Sequence, residues 1–184
     1  MNPNATIHAL LIAGLAASSA CAASSGTIRF NGAIYAPSCK ISGGTPGTNN
    51  PNFDVDLGRV NGSDIPYPDT YGDKIPFHIY IGGDDDTNCT NDRKVWASYD
   101  LTPNVDRFTG ALRITYGDAR GVQVRLFDKN GDSFNIAFGQ QPIRETIKEH
   151  KATLSYFAAY QRSEPTLIPG QAFAYAVYTV SYEN

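Results

Sequence analysis

The chain has 184 residues, of which 41% are hydrophobic and 18% are charged. This balance suits one globular domain with a substantial core and excludes a disordered tail or an integral membrane protein. The formal net charge of −3 gives no electrostatic reason to expect nucleic acid or an anionic membrane as a partner.

The first 22 residues have the pattern of a cleaved secretory signal. Ala9–Ala17 is apolar but too short to span a bilayer. The small residues of Ala20–Ala22 supply a cleavage site, so we expect cleavage after Ala22, with Ala23 as the alternative. A lipoprotein signal built on Cys21 is disfavoured, because the leucine expected three residues earlier is absent.

Removal of the signal leaves two cysteines, Cys39 and Cys89. In an exported chain such a pair predicts one disulfide, which would stabilise the fold by roughly 4 kcal/mol on the chain-entropy account. No metal site is expected, because His78 and His150 have no cysteine at the spacing of a zinc site.

The segment from Gly26 to Ile34 alternates between apolar and other residues, which is typical of a strand. The alternation divides it into two faces: Gly26, Ile28, Phe30, Gly32 and Ile34 on one, and Arg29, Asn31 and Ala33 on the other. Taken alone, this pattern fits an ordinary half-buried first strand of the chain's own domain.

The middle of the chain predicts an all-β sandwich, because short alternating segments are separated by turn residues. The predicted strands are Phe53–Val60, Ile75–Ile81, Val95–Leu101, Ala111–Tyr116, Val122–Phe127, Ser133–Phe138 and Lys151–Tyr160. We expect a tight turn at Lys129–Gly131 and a loop at Gln141–His150, where one helical turn that uses Ile143 and Ile147 is the alternative. Within the second predicted strand, Phe77, Ile79 and Ile81 should face the core and His78 should face outward.

The last stretch, Gly170–Asn184, predicts a long final strand. Ala174, Ala176, Tyr178, Val180 and Tyr182 share one face, and Tyr175, Val177, Thr179 and Ser181 share the other. No later strand of the chain can pair with it, so an open side would be a template for another chain. The alternative is an interior strand that is already paired on both sides.

No cofactor and no catalytic activity are expected, because no nucleophile elbow, phosphate loop or metal helix is present. The acidic run Asp84–Asp86 lacks the spacing of a calcium loop and is better explained as a solvated loop. Asp128–Asp132 has its glycine too early for such a site, so a hairpin turn explains it better.

Both ends of the chain resemble the type 1 pilin family of bacterial chaperone–usher pili. At the amino end, GTIRFNGAI runs from Gly26 to Ile34, and Cys39 follows Gly32 by seven residues. At the carboxyl end, Gly170 lies fourteen residues before the last residue and is followed by an alternating strand that matches at Ala176, Tyr178, Val180 and Tyr182. The family's tyrosine is commonly penultimate, whereas in this chain Glu183 and Asn184 both follow Tyr182.

The resemblance implies an incomplete immunoglobulin-like sandwich that lacks its last strand and is completed by a donor strand from another subunit. It divides the chain into a signal (1–22), a donor extension (23–36) and a pilin domain (37–184). Gly26, Ile28, Phe30, Gly32 and Ile34 would be the donor residues, with Gly32 fitting a shallow pocket. Gly170, Ala176, Tyr178, Val180 and Tyr182 would form the acceptor groove and the strand that binds the chaperone.

The implied function is that of a structural subunit of an adhesive surface pilus. Its partners would be neighbouring subunits in a head-to-tail polymer, a periplasmic chaperone and an outer-membrane usher, and it would be exported through the periplasm to the outer cell surface. A tip adhesin is the competing class, but it would need a separate lectin domain. A minor adaptor, tip or terminator subunit stays open, because an adaptor would carry the same motifs at both ends of its chain.

Overall fold

A computed structural model describes residues 38–139 and 143–183 of the chain. Two antiparallel sheets enclose the core. The strands are β1 (Ile41–Gly43), β2 (Ile75–Gly82), β3 (Lys94–Tyr99), β4 (Leu112–Arg113), β5 (Val122–Phe127), β6 (Glu145–Thr146), β7 (Lys151–Arg162) and β8 (Tyr178–Glu183). One sheet has the order β1-β2-β7-β5-β4 and the other has the order β6-β3-β8. The predicted all-β sandwich is confirmed.

The first sheet is built around β7, the longest strand, which pairs with β2 on one side and β5 on the other. Phe77, Ile79 and Ile81 of β2 are buried, at 9%, 0% and 1% exposure, and confirm the predicted inward face. His78 lies on the other face, where its ring nitrogen is within 3.1 Å of the Ser155 hydroxyl on β7. These alternating strands formed as predicted because each has a neighbour on both sides.

The second sheet is centred on β3, with β6 and β8 on its two edges. In the pairing of β3 with β8, Val95 lies opposite Tyr182 and Ala97 opposite Val180. Val95 and Ala97 are completely buried. No described strand pairs with the outer edge of β8, so that edge ends the sheet within the described residues.

Cys39 and Cys89 form the predicted disulfide. Both are buried, at 5% and 0% exposure. The bond joins the segment just before β1 to the loop that follows β2, and it closes a chain separation of 50 residues.

Two predicted strands are wrong. Ser133–Phe138 returns from a tight turn, in which the Gly131 N–H donates to the Asp128 carbonyl at 2.9 Å, but only Ser133 makes a bridge, to Phe127. The chain then enters a 3-10 helix at Ile136–Phe138. The Asn135 side chain caps it by accepting from the Ala137 N–H, and Gly139 ends it in the left-handed region.

Phe53–Val60 alternates as a strand would, but it pairs with no described strand. The larger of the remaining differences lie in the extent of the regular strands. Ala111–Tyr116 contracts to β4, the expected loop at Gln141–His150 contains β6, and the final strand is regular only over β8. Side-chain alternation reports which face is covered, whereas a strand also needs a neighbour for its backbone.

Candidate functional site

A groove of about 540 Å³ opens along one side of the sandwich. Its two walls are extended segments that we name the first rim (Pro51–Leu57) and the second rim (Ala172–Tyr178). The floor is the interior of the sandwich and is formed by Phe77, Ile79, Tyr99, Leu112, Val124, Leu126, Ala158 and Tyr160. The groove is therefore an opening into the hydrophobic core, not a surface dimple.

The first rim alternates between the core and the solvent. Phe53, Val55 and Leu57 are half-buried and pack against the core, whereas Asp54 and Asp56 are exposed. The Phe53 ring lies against Gly43 of β1, where any Cβ atom would collide with it. The absence of a side chain in β1 therefore lets this rim sit close to the sheet.

The second rim alternates in the same way. Its even-numbered residues are half-buried, and Ala174, Ala176 and Tyr178 pack against the core. The odd-numbered residues Phe173, Tyr175 and Val177 are 52%, 49% and 42% exposed. This division continues the even-inward register of β8.

Apart from a hydrogen bond that the Tyr160 hydroxyl donates to the Ala172 carbonyl at 3.1 Å, the second rim between residues 172 and 177 is bonded through its odd-numbered residues. Its odd-numbered carbonyls accept hydrogen bonds from the preceding loops: Val177 O from the Asp100 N–H at 2.9 Å, and Tyr175 O from the Asn104 side-chain amide at 2.7 Å. The backbone groups of Ala174 and Ala176 make no hydrogen bond with any described residue. In an extended chain successive residues direct these groups to opposite edges, so the unpaired groups belong to the groove edge.

The first rim is unpaired too, since no backbone hydrogen bond links Phe53–Leu57 to another described residue. Rows of backbone groups without partners on both rims, above a floor of core side chains, are costly to leave open. The shape and chemistry fit one extended polypeptide strand lying between the rims, because it would satisfy both rows and cover the floor.

One end of the groove is closed by a contact between the rims. The Tyr178 hydroxyl donates to the Pro51 carbonyl at 2.6 Å, and the Tyr178 and Phe53 rings meet edge to face at 6.4 Å. A tyrosine hydroxyl is protonated at neutral pH and can donate, and burial raises the pKa of Tyr178 further.

The residues predicted for the acceptor site fall into three groups. Ala176 and Tyr178 line the groove. Val180 and Tyr182 lie beyond it on β8, half-buried against the core. Gly170 lies before the second rim, where a Cβ atom would come within 2.6 Å of the Ala119 nitrogen, so its position demands close packing rather than contact with a ligand.

The predicted donor residues Gly26, Ile28, Phe30, Gly32 and Ile34 lie outside the described residues, as does the signal segment. The first rim is a part of the site that the sequence pattern did not predict. Its alternation predicts a paired strand. The sequence signal is two carboxylates that alternate with three apolar residues, and this pattern does not distinguish a paired strand from an open edge.

Other kinds of site are not seen in the part of the chain that the structure describes. No three His, Cys, Asp or Glu side chains there are grouped so that they could hold a metal ion. Among residues 38–139 and 143–183, no helix has the length and apolar character needed to cross a membrane. Asp84 forms an ion pair with Lys151 at 2.6 Å.

Comparisons of sequence and of structure with known proteins both find subunits of bacterial fimbriae or pili. The F17 fimbrial protein of Escherichia coli is 27% identical over 178 residues, which cover 94% of this chain and 95% of that protein. The P pilus rod subunit PapA has a TM-score of 0.57 at 18% identity, over 80% of this chain and 100% of that one. A subunit from the structure of a chaperone–usher pilus, solved to explain rod uncoiling, has a TM-score of 0.56 at 18% identity, over 87% and 96%.

The structural likeness shows the fold, which is the immunoglobulin-like sandwich of pilins without its last strand. The sequence profile of fimbrial proteins matches residues 28–183, which is most of the chain, and the chain therefore belongs to the fimbrial protein family.

Proposed function

We propose that this chain is a structural subunit of a chaperone–usher pilus and that its groove accepts the amino-terminal segment of a neighbouring copy. The observation that carries the proposal is the groove itself, with unpaired backbone groups on both rims over an apolar floor. A donated strand would complete the sandwich through main-chain hydrogen bonds, and its alternate side chains would fill the floor.

The donor would be residues 23–36 of the next copy, after removal of a signal at residues 1–22. The strand pattern of this segment offers Ile28, Phe30 and Ile34 on one face, with Gly26 and Gly32 in phase. Burial of three such side chains would contribute roughly 5–9 kcal/mol, at about 1.5–3 kcal/mol each. Residues 37–184 would form the acceptor domain.

Before assembly, the open groove needs cover. A periplasmic chaperone lends a strand to the groove, and at the outer-membrane usher the donor segment of the next subunit replaces it. Each copy gives one strand and accepts one, head to tail. Such a contact does not close on itself, so the product is a fibre on the outer cell surface. The protein has no catalytic role, in keeping with a family of structural pilins rather than enzymes.

The test replaces Phe30 with Asp, which would place a charge in an apolar groove. The variant should fold and bind the chaperone, because its own groove is unchanged, but it should not be added to a growing fibre. The matched control is Ala33→Asp, on the opposite face of the same segment, which should assemble. The measurement is the amount of fibre on cells that express the chain with its chaperone and usher. Normal assembly of Phe30→Asp would refute the proposal.

A repeating rod subunit and a minor adaptor would both use this groove and this donor segment. The number of copies per fibre distinguishes the two. Quantitative mass spectrometry of purified fibres should find this chain in large excess over every other subunit if it forms the rod.

A further inference from the structure

The solvent side of the first rim is acidic. Asp54 and Asp56 are both exposed, on alternate residues between the inward-facing Phe53, Val55 and Leu57. The Asp56 carboxylate accepts a hydrogen bond from the Gly58 N–H at 2.8 Å. Asp54 has no hydrogen bond or ion pair with a described residue. The rim therefore presents two neighbouring negative charges, one of them without any partner in the described part of the chain.

These charges stand at the mouth of the groove. The pKa of Tyr160, a residue of the groove floor, is raised mainly by burial and to a smaller extent by the negative charge of Asp56. The second rim differs in character, because Ala172–Tyr178 contains no charged residue. A strand in the groove would thus have an acidic neighbour on one side and an uncharged neighbour on the other.

The amino-terminal segment carries a complementary charge. Arg29 is the one charged residue between Ser24 and Ala36. Arg29 stands between Ile28 and Phe30 in the sequence. In a strand whose apolar face carries Ile28 and Phe30, Arg29 would lie on the opposite face. If that apolar face lay in the groove, Arg29 would point to the same side as Asp54 and Asp56. Facing side chains on neighbouring strands lie about 4.5–5.5 Å apart, which is within reach of an arginine.

We propose that Arg29 of a second copy pairs with the Asp54–Asp56 rim and thereby selects the register in which the donated strand lies in the groove. This inference rests on the proposed function. A slip of one residue would turn Arg29 into the apolar groove, which is strongly unfavourable. Slips of an even number of residues keep the faces, but each moves Arg29 along the rim by about 7 Å for every two residues. Only registers that leave Arg29 beside the acidic stretch gain the contact.

The test is a charge exchange in full-length chains assembled with their own chaperone and usher. Arg29→Glu, the pair Asp54→Lys with Asp56→Lys, and all three changes together are compared with the original chain. The measurement is the rate at which purified fibres release monomers in detergent at a fixed raised temperature. Either reversal alone should speed release by about 5-fold, as expected for an exposed ion pair turned into repulsion. The three changes together should restore the original rate to within about twofold.

Asp73→Lys serves as the matched control, since Asp73 is also exposed and lies outside the groove. Combined with Arg29→Glu, it should restore nothing. High salt should reduce the difference between the original chain and Arg29→Glu, because exposed pairs are screened. If a single reversal stops assembly altogether, the yield of surface fibres replaces the release rate, and recovery of yield in the triple variant supports the pairing.

Lack of recovery in the triple variant would overturn the pairing. That outcome is distinguishable from failure of the proposed function. If Phe30→Asp blocks assembly but the charge exchange restores nothing, the groove accepts the segment without help from Arg29. If Phe30→Asp assembles normally, the strand donation itself is refuted.

Discussion

Along the last strand, neighbouring residues differ in what they contact. Val180 lies opposite Ala97 of β3 and packs against the core, whereas Thr179 lies opposite Ser98 and is exposed. Val180→Arg should abolish recovery of the subunit, because it directs a charge into the sandwich beside the open edge. Thr179→Arg should change stability by less than about 0.5 kcal/mol, as is usual for a surface substitution.

Co-purification of both variants with the periplasmic chaperone is the measurement. Loss of the complex with Thr179→Arg and retention with Val180→Arg would mean that the two faces of β8 are exchanged. Retention with both would mean that this strand is not the edge on which the chaperone adds its own strand.

At the scale of elements, the first rim depends on the small size of one residue in β1. Gly43 faces the Phe53 ring so closely that a methyl group cannot fit between them. Gly43→Ala should therefore displace Phe53 and with it the rim, at a cost of about 1–3 kcal/mol as for other overpacked sites. Gly83→Ala is the control, because nothing lies within 4 Å of its added Cβ.

The measurement is the denaturant midpoint of purified fibres. In a fibre each domain unfolds together with its donated strand, so a displaced rim should lower the denaturant midpoint of the fibre. Equal midpoints for Gly43→Ala and Gly83→Ala would show that the first rim adjusts without loss and that its position is not set by β1.

The elements also show what the sequence could predict. Val122–Phe127 was predicted with its observed bounds and Lys151–Tyr160 to within two residues, because both pair on two sides with strands of the same chain. Phe53–Val60 has the same alternation but forms no strand among the described residues, because it borders the open groove and has no described strand beside it. Ser133–Phe138 failed for a local reason, the cap by Asn135 and the left-handed Gly139.

The acceptor site was predictable on one side only. The inward face of the last stretch could be inferred from its alternation, and Ala176 and Tyr178 do line the groove. Gly170 is explained by its contact with the Asp118–Ala119 backbone, which links residues about fifty positions apart. Sequence periodicity cannot report such a contact, because it describes the face of a segment and not the segment across from it.

At the scale of the whole molecule, the disulfide should be required for the subunit to persist. Closing a separation of 50 residues corresponds to roughly 4 kcal/mol on the chain-entropy account, a large part of the stability of a small domain. Cys39→Ser should therefore be depleted from the periplasm. Cys89→Ser is expected to have the same effect, because either change breaks the same bond.

Immunoblots of periplasmic extracts measure this depletion, and thiol titration of the denatured, unreduced protein provides the independent check. Titration should find no reactive thiol in the mature chain. One or two reactive thiols would contradict the disulfide, and a normal level of Cys39→Ser would show that the bond is dispensable.

Alkaline pH should weaken the whole fold. Burial raises the pKa of Tyr99 well above its usual value and that of Tyr156 to about 12. The folded chain therefore retains protons that the unfolded chain releases near pH 10. The stabilisation that results from this difference is fully present below pH 10 and is lost as the pH rises toward about 12. The slope for each such tyrosine is about 1.4 kcal/mol per pH unit.

Denaturant midpoints of purified fibres across this pH range test the effect. Tyr156→Phe should flatten the decline, because it removes one of these buried hydroxyls. Tyr116→Phe, at a position that is 73% exposed, should leave the decline as it is. An equal decline in both variants would assign the alkaline sensitivity to other groups.

The position of the disulfide also decides how a fibre would carry tension. Among the described residues, Cys39 is the first buried one after the segment proposed to lie in the neighbouring subunit. A pull on the fibre would therefore enter this domain just before Cys39, and the covalent bond would pass part of the load directly to Cys89. The three-residue β1 would not have to bear it through its few hydrogen bonds to β2. Under reducing conditions the same pull would act on β1 first and peel it from the sheet, so a reduced fibre should yield at lower force.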